Sequence, residues 1–302
     1  MTPLPILRRS SLTVPASSER FIAKAHLRGA DAITLDLEDG VAPLEKAAAR
    51  SGLAEAVARV GQGGADVGVR INRPIDMAVR DIEAAVIPGV SYIAIAKADS
   101  PEHIQLLAEL VDRLEAERGI AAGTIRFTAA IETPQAFFRA NAIAAASPRL
   151  AAIGLGSEDF AAACGMQPVS EALFMPKQMI VFAARAAAIQ AFGFVGTVAD
   201  YSDLEGLKKA VRLSRAIGFR GASAIHPDQI PILNEGFGPT PEEITRAGAL
   251  IAASREAEDR GQGAFSFEGK MVDRPVVLRA EETVQLAGAI EARKARHLEL
   301  TN

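Results

Sequence analysis

The sequence predicts an α/β fold, a (β/α)₈ TIM barrel followed by a C-terminal helical extension. Eight short apolar or alternating runs recur along the chain, at 12–14, 32–37, 67–71, 92–96, 125–131, 151–155, 194–198 and 221–225. Between them lie Ala-, Leu-, Glu-, Lys- and Arg-rich stretches with helical periodicity, such as 102–118, 177–191 and 203–217. Strand–helix alternation implies a parallel sheet, and eight repeats favour its closure into a barrel. A doubly wound open sheet would place a Gly-rich turn after the first strand, whereas Pro15-Ala16-Ser17-Ser18 stands there.

The second run, Ile33-Thr34-Leu35-Asp36-Leu37-Glu38-Asp39-Gly40, alternates with a period of two. Ile33, Leu35 and Leu37 share one face, toward the outer helices. Thr34, Asp36 and Glu38 share the other, toward the barrel interior. Asp36, Glu38 and Asp39 thus reach the carboxyl end of the strand, where barrel enzymes place their sites. A solvated acidic turn is the plainer alternative, but inward-facing carboxylates need partners. The third run offers one: Arg70 and Asn72 share a face in Val69-Arg70-Ile71-Asn72. A guanidinium there can pair with a carboxylate of the protein, of a substrate, or both.

Lys97 closes the fourth run, where it could form a Schiff base or serve electrostatically. The fifth ends in Ile131-Glu132-Thr133-Pro134 and the sixth in Gly156-Ser157-Glu158-Asp159. Singly, Glu132 or Asp159 reads as an acid at a helix N-terminus. As a pair on neighbouring strand ends they suit Mg²⁺, which takes oxygen ligands and keeps waters and substrate oxygens. Zinc is not expected, because the four His are isolated and the single Cys164 has no spaced partner. His226, after the eighth run, is a candidate proton carrier or a structural residue before Pro227.

Beyond the eighth run the character changes. Residues 1–238 read as the barrel and 239–302 as an extension. Thr240-Pro241-Glu242-Glu243 reads as a capping box that opens a helix to about Arg260. An irregular or extended stretch at 265–273 then precedes a last helix, roughly 275–296. A barrel needs no such tail, which serves either packing or closure of the site.

Composition is that of a soluble globular protein: 302 residues, 49% hydrophobic and 23% charged. A net charge of −4 with no basic stripe argues against nucleic acid. One cysteine excludes an internal disulfide framework and suits a reducing compartment. No apolar run nears the ~20 residues of a membrane span. The Arg8-Arg9 pair has no apolar core after it, so no signal peptide is expected and the cytoplasm is the natural location.

Seven motifs stand together in order: Arg9-Ser10-x-Leu12 with Val14-Pro15, Leu35-Asp36-Leu37-Glu38-Asp39-Gly40-Val41, Val69-Arg70-Ile71-Asn72, Ile131-Glu132-Thr133, Gly156-Ser157-Glu158-Asp159-Phe160, Ile225-His226-Pro227-x-Gln229 and Gly269-Lys270-Met271-Val272-Asp273-x-Pro275. The chain resembles, over residues 9 to about 289, the citrate lyase beta subunit-like proteins of the HpcH/HpaI aldolase superfamily, relatives of the malyl-CoA and citramalyl-CoA lyases. The resemblance implies Mg²⁺ on Glu132 and Asp159, and Arg70 holding the carbonyl or carboxylate of a small acid. It also implies Arg9, Lys97 and the 36–39 acids at the same mouth near the CoA tail, with Asp36 and Glu38 among the catalytic groups. A C-terminal lid would cover a neighbouring subunit's site in a homotrimer or hexamer, with Asp273 as acid/base. Ala96-Lys97 stands where relatives usually have Pro-Lys, Ala16 where Gly is common, and Met175-Pro176-Lys177 where the stretch often ends in Arg.

The expected activity is Mg²⁺-dependent cleavage or formation of a 3-hydroxyacyl-CoA, such as malyl-, citramalyl- or citryl-CoA, with an acyl-CoA and a small oxoacid as partners. A malyl-CoA-type thioesterase, a CoA-independent pyruvate-class hydroxy-oxoacid aldolase, and a subunit needing an acyl-carrier partner are the alternatives.

Overall fold

Small and β-branched residues draw eight segments into extended backbone: β1 (Ser10–Pro15), β2 (Ala32–Asp36), β3 (Asp66–Ile71), β4 (Val90–Ile95), β5 (Arg126–Ile131), β6 (Leu150–Leu155), β7 (Gln190–Ala191) and β8 (Ala222–Ala224). All pair in parallel in the order β7-β6-β5-β4-β3-β2-β1-β8. At the remaining seam Arg220 N–H donates to Ala191 O at 3.2 Å and Gly193 N–H to Gly221 O at 2.7 Å. These bonds bring the ends of the curled sheet together, giving the expected TIM-barrel-like fold. A computed structural model describes residues 8–199 and 201–301, with side chains to residue 295.

Helices follow the strands as α1 (Glu19–Ala25), α2 (Lys46–Ser51), α3 (Leu53–Val60), α4 (Ile75–Ala85), α5 (Pro101–Glu117), α6 (Pro134–Phe137), α7 (Ala140–Ala144), α8 (Ser157–Cys164), α9 (Ser170–Ala186), α10 (Leu204–Ile217) and α11 (Gln229–Gly236). Their starts follow capping chemistry. Ser100 accepts from His103 N–H ahead of α5, and Asp203 accepts from Gly206 N–H ahead of α10. Ile33, Leu35, Val69, Ile93, Ile153 and their neighbours on the outer strand faces pack with Ile82, Ile104, Val111 and Ile180 of the helices in one apolar core.

The seventh strand is the correction to the sequence reading. Pairing occurs at Gln190 and Ala191, with Ala152 and Ile153 as partners, and not over 194–198. Gly193 (φ 138°) and Gly196 (φ 143°) put positive φ into that apolar run and end regular extension. Phe194 and Val195 are buried there as loop residues. The preceding helix likewise stops at Ala186, short of 191.

A separate compact unit runs from Gly238 to Leu300, the first ending at Phe237. In it Thr240 and Glu243 form the reciprocal capping box of α12 (Pro241–Asp259). The stretch at 265–273 is a hairpin of β9 (Phe265–Phe267) and β10 (Lys270–Val272). It turns at Glu268 and Gly269, both at positive φ. The last helix is α13 (Arg274–Thr301), and Ala247, Leu250, Val272, Val277 and Ala280 form this unit's own core.

Candidate active site

The register of β2 with β3 sets Asp36 beside Arg70 at the carboxyl end of the sheet. Arg70 donates from Nε to Asp36 Oδ1 and from Nη2 to Asp36 Oδ2, both at 2.7 Å, while Nη1 lies 3.1 Å from Glu38 Oε2. Asp36 also accepts backbone N–H bonds from Glu38 and Gly40, each at 2.8 Å. Its carboxylate is 1% exposed and met by four donors, so it positions Arg70 and has no free face for a substrate. Hydrogen bonding and charge from these acids hold Arg70 above its ordinary range even though burial opposes them, so it stays cationic. Gly40 is required for this packing, because a Cβ there would lie 2.3 Å from Asp36 Oδ2.

Lys97 takes a left-handed backbone (φ 49°) just past β4, an arrangement that non-glycine residues adopt at some cost. Its Nζ donates to Glu38 Oε1 and, at 3.1 Å, to Asp39 Oδ2. Those carboxylates raise its pKa against the effect of burial, which removes the free amine a Schiff base needs. Asn72 is turned away from this cluster. It donates to Leu37 O and Asp81 and accepts from buried Lys46, whose Nζ also donates to Leu37 O and Glu38 O. Lys46 thereby clamps the turn after β2, a role the sequence did not signal.

Glu132 follows β5, and Asp159 lies in the first turn of α8 after β6. Glu132 is buried and Asp159 exposed. Burial, then the neighbouring charges of Asp159 and Glu38, push the Glu132 carboxyl up to about 7. No ion pair to a Lys or Arg neutralises either acid among the described residues. Gly156 admits the Glu132 side chain, since a Cβ at that position would lie 2.6 Å from Glu132 Cγ. The charge and backbone N–H of Lys97 ease Glu132 only in part, and a pair of oxygen donors without an ion pair is the donor set that a hard divalent cation takes, with water and substrate filling the other positions. Among the described residues no group of three or more His, Cys, Asp or Glu has metal-site spacing, so a site of the closed structural zinc type is not formed.

Arg70, Glu132 and Asp159 line one cavity of about 280 Å³, a size that suits a small acid. Deeper in the barrel the Tyr92 ring crosses above Gly68, and its hydroxyl meets Ser11 and Thr34 at 3.0 and 2.6 Å. Lys177, on α9, also reaches this cavity, and burial pushes its ammonium down to about 7. The sequence reading met Lys177 only as a departure, in a stretch that often ends in Arg among relatives, because helical periodicity does not show that a lysine reaches the cavity.

Arg9 needs correction. It precedes β1 and therefore sits at the amino end of the strands, opposite the mouth. It forms a bidentate pair with Asp31, at 2.8 and 2.9 Å, and donates to Asn234 O. Arg8, its neighbour, is the one that faces the barrel interior, with its guanidinium 3.8 Å from the Tyr92 ring centre. His226 stacks on Tyr201 (5.2 Å, 15°) and accepts from Asp228 N–H at 3.3 Å, a loop-fixing arrangement. Asp273 belongs to the second unit, where its carbonyl accepts from Val276 and Val277 at the start of α13.

A parallel barrel whose carboxyl end joins an unneutralised acid pair to a cation fixed by carboxylates is the framework of a barrel enzyme that handles a small anionic substrate. The HpcH/HpaI aldolase/citrate lyase model matches residues 9–227. Citrate lyase subunit beta of Leuconostoc mesenteroides subsp. cremoris is 38% identical over 286 residues, 94% of each chain. The mitochondrial citramalyl-CoA lyase of Homo sapiens is 34% identical, covering 95% of this chain and 87% of its own. Among solved structures, CitE from Mycobacterium tuberculosis, in complex with magnesium, acetoacetate and coenzyme A, superimposes with a TM-score of 0.73 at 32% identity, covering 93% of this chain and 98% of that one. The chain therefore belongs to the HpcH/HpaI aldolase/citrate lyase family and is an enzyme of the lyase class.

Proposed function

We propose that this protein is a magnesium-dependent carbon–carbon lyase that cleaves or forms a 3-hydroxyacyl-CoA, with an acyl-CoA and a small oxoacid as partners. The observation that carries this reading is the cavity shared by Glu132, Asp159 and Arg70: two acids without a cation beside a cation held by two acids. Kinship with citramalyl-CoA lyase and with a CitE structure containing magnesium, acetoacetate and coenzyme A supports it. Glu132 and Asp159 would hold Mg²⁺, which supplies Lewis-acid polarisation and a template for the acid's oxygens.

Cleavage of the bond leaves negative charge on the thioester oxygen. Arg70 stabilises it, because a guanidinium already fixed by Asp36 and Glu38 needs no reorganisation when the charge develops. Asp36 and Glu38 act as positioning residues in this step. Lys97, bridged to Glu38 and Asp39 at the rim, faces the anionic CoA tail. Asp273 exchanges the proton at the acyl carbon. The protein works in the cytoplasm as a homotrimer or hexamer.

The test is a panel of malyl-, citramalyl-, methylmalyl- and citryl-CoA incubated with and without EDTA. Acyl-CoA plus an oxoacid, formed only without EDTA, is expected. Free CoA plus the intact hydroxyacid, or turnover that survives EDTA, overturns the reading. Asp273→Ala is expected to keep magnesium binding and lose turnover, and full activity in that variant removes Asp273 from the mechanism.

A further inference from the structure

One cation in the cavity has no acid to answer. Lys177 is 2% exposed, and its nearest acceptor is Leu155 O at 3.4 Å, at the long limit of a hydrogen bond. Its Nζ also lies 5.7 Å from the centre of the Phe194 ring. Among the described residues it forms no ion pair. By contrast Lys46, also buried, has three oxygen acceptors at 2.7–2.8 Å. A buried ammonium without an anion is costly, and the fold nevertheless builds the path for it. β7 pairs with β6 only at Ala152 and Ile153, and beyond that point the chain turns away at Gly193. Lys177 extends from α9 so that its Nζ meets Leu155 O of β6 and lies near Gly193 and Phe194, the residues that follow β7. A Cβ on Gly193 would lie 3.8 Å from Nζ, an ordinary contact distance, so this turn passes directly beside the ammonium.

The position of Lys177 relative to the acid pair follows from β6. Its ammonium is at Leu155 O, and the Glu132 side chain packs against the adjoining residue, Gly156. Consecutive residues are about 3.8 Å apart. Lys177, Glu132 and Asp159 line the same cavity, so a small acid held at Glu132 and Asp159 shares that space with the ammonium. The other charged groups lining the cavity are Arg8, Arg70, Glu132, Glu158 and Asp159, and no ion pair joins any of them to Lys177. Arg8 is paired with Asp66, and Arg70 with Asp36 and Glu38.

We propose that Lys177 is the specificity-determining residue for the acid partner, contacting a second carboxylate, so that the site selects a dicarboxylic 2-oxo or 2-hydroxy acid over its monocarboxylic counterpart. The assignment rests on the reading of Glu132 and Asp159 as the magnesium site. A carboxylate arriving from the substrate supplies the counter-ion that the fold withholds.

Malate and lactate test this, because they share the 2-hydroxy acid group and differ by one carboxylate. Both are titrated calorimetrically into the full-length protein with saturating magnesium, alongside Lys177→Met and Lys177→Gln. The wild type is expected to bind one enantiomer of malate at least about tenfold tighter than lactate, the scale of one charge-assisted hydrogen bond. Both variants are expected to bring that ratio close to one while lactate affinity is kept. A merely structural lysine would not move the ratio. A preference that survives in the variants overturns the assignment while leaving the magnesium site standing. Failure of the wild type to bind either acid overturns the assignment together with the proposed function.

Discussion

Replacing Lys177 by methionine separates the cost of an unpaired buried charge from the packing of its stem. Burial holds the ammonium at about 7, against 10.5 for an exposed lysine. Between those values the unfolded chain binds a proton that the native chain does not, so native stability rises with pH. The cost to the fold is complete below about pH 7 and fades as pH rises toward 10.5. Across that interval it amounts to roughly 5 kcal/mol, from about 1.4 kcal/mol per tenfold change in proton affinity. Methionine fills much the same space without the charge, so the variant is expected to be more stable than the wild type at neutral pH. The excess should shrink by about 2 kcal/mol on moving from pH 7 to pH 9. Urea unfolding in EDTA, followed by tyrosine fluorescence, reads this out of the barrel. The chain has no Trp, and its two tyrosines, Tyr92 and Tyr201, both lie in the first unit. A stability difference that is the same at both pH values would refute the reasoning.

Three further outcomes are expected. Glu132→Gln should abolish magnesium binding by calorimetry and the EDTA-sensitive turnover, while raising the melting temperature of the metal-free protein at pH 8, because a desolvated carboxylate beside Asp159 is gone. Arg70→Met should cost roughly 3–5 kcal/mol in urea unfolding, the usual penalty for stranding a buried carboxylate, here Asp36. Arg70→Lys should recover part of that stability but leave turnover at least about a hundredfold down, since a lysine cannot span Asp36 and Glu38 together. Arg9→Lys should lower stability through Asp31 and leave KM for the thioester unchanged, and a raised KM would return Arg9 to the CoA site.

The barrel was legible because period-two alternation and strand–helix repetition are local signals. Alternation alone assigned Thr34, Asp36 and Glu38 to the interior, and Thr34 indeed meets Ser11 and Tyr92 there. What the sequence could not show depends on contacts distant along the chain. Asp36 and Arg70 are 34 residues apart, and only the β2–β3 register makes them a bidentate pair. Asn72 shares the alternation of Arg70, yet β3 ends at Ile71 and the pattern no longer governs its direction. Arg9 fell to the wrong end of the barrel because it stands before the first strand and not after it, and the resemblance gave no depth along the barrel axis. The seventh strand was misplaced because two paired residues leave too short a period to detect, while an apolar loop beside them imitates one.

The charges at the mouth argue for an order of events. Asp36, Glu38, Asp39, Glu132 and Asp159 outnumber Arg70 and Lys97 by three formal charges when all are ionised, and no ion pair joins Arg8 or Lys177, which also line the cavity, to any of them. Asp36 and Glu38 are matched by close ion pairs, so the excess falls on the Glu132–Asp159 side, where burial first and then the charges of Asp159 and Glu38 raise the Glu132 pKa. A CoA thioester of a hydroxyacid is itself an anion, and its carboxylate would approach two acids, of which Glu132 is buried and so weakly screened. That approach is repulsive until a divalent cation lies between them. On the proposed function, the cation is therefore expected to enter first and the substrate second. Arg70 is fixed by Asp36 and Glu38 and forms no ion pair with Glu132 or Asp159, so it leaves that task to the cation.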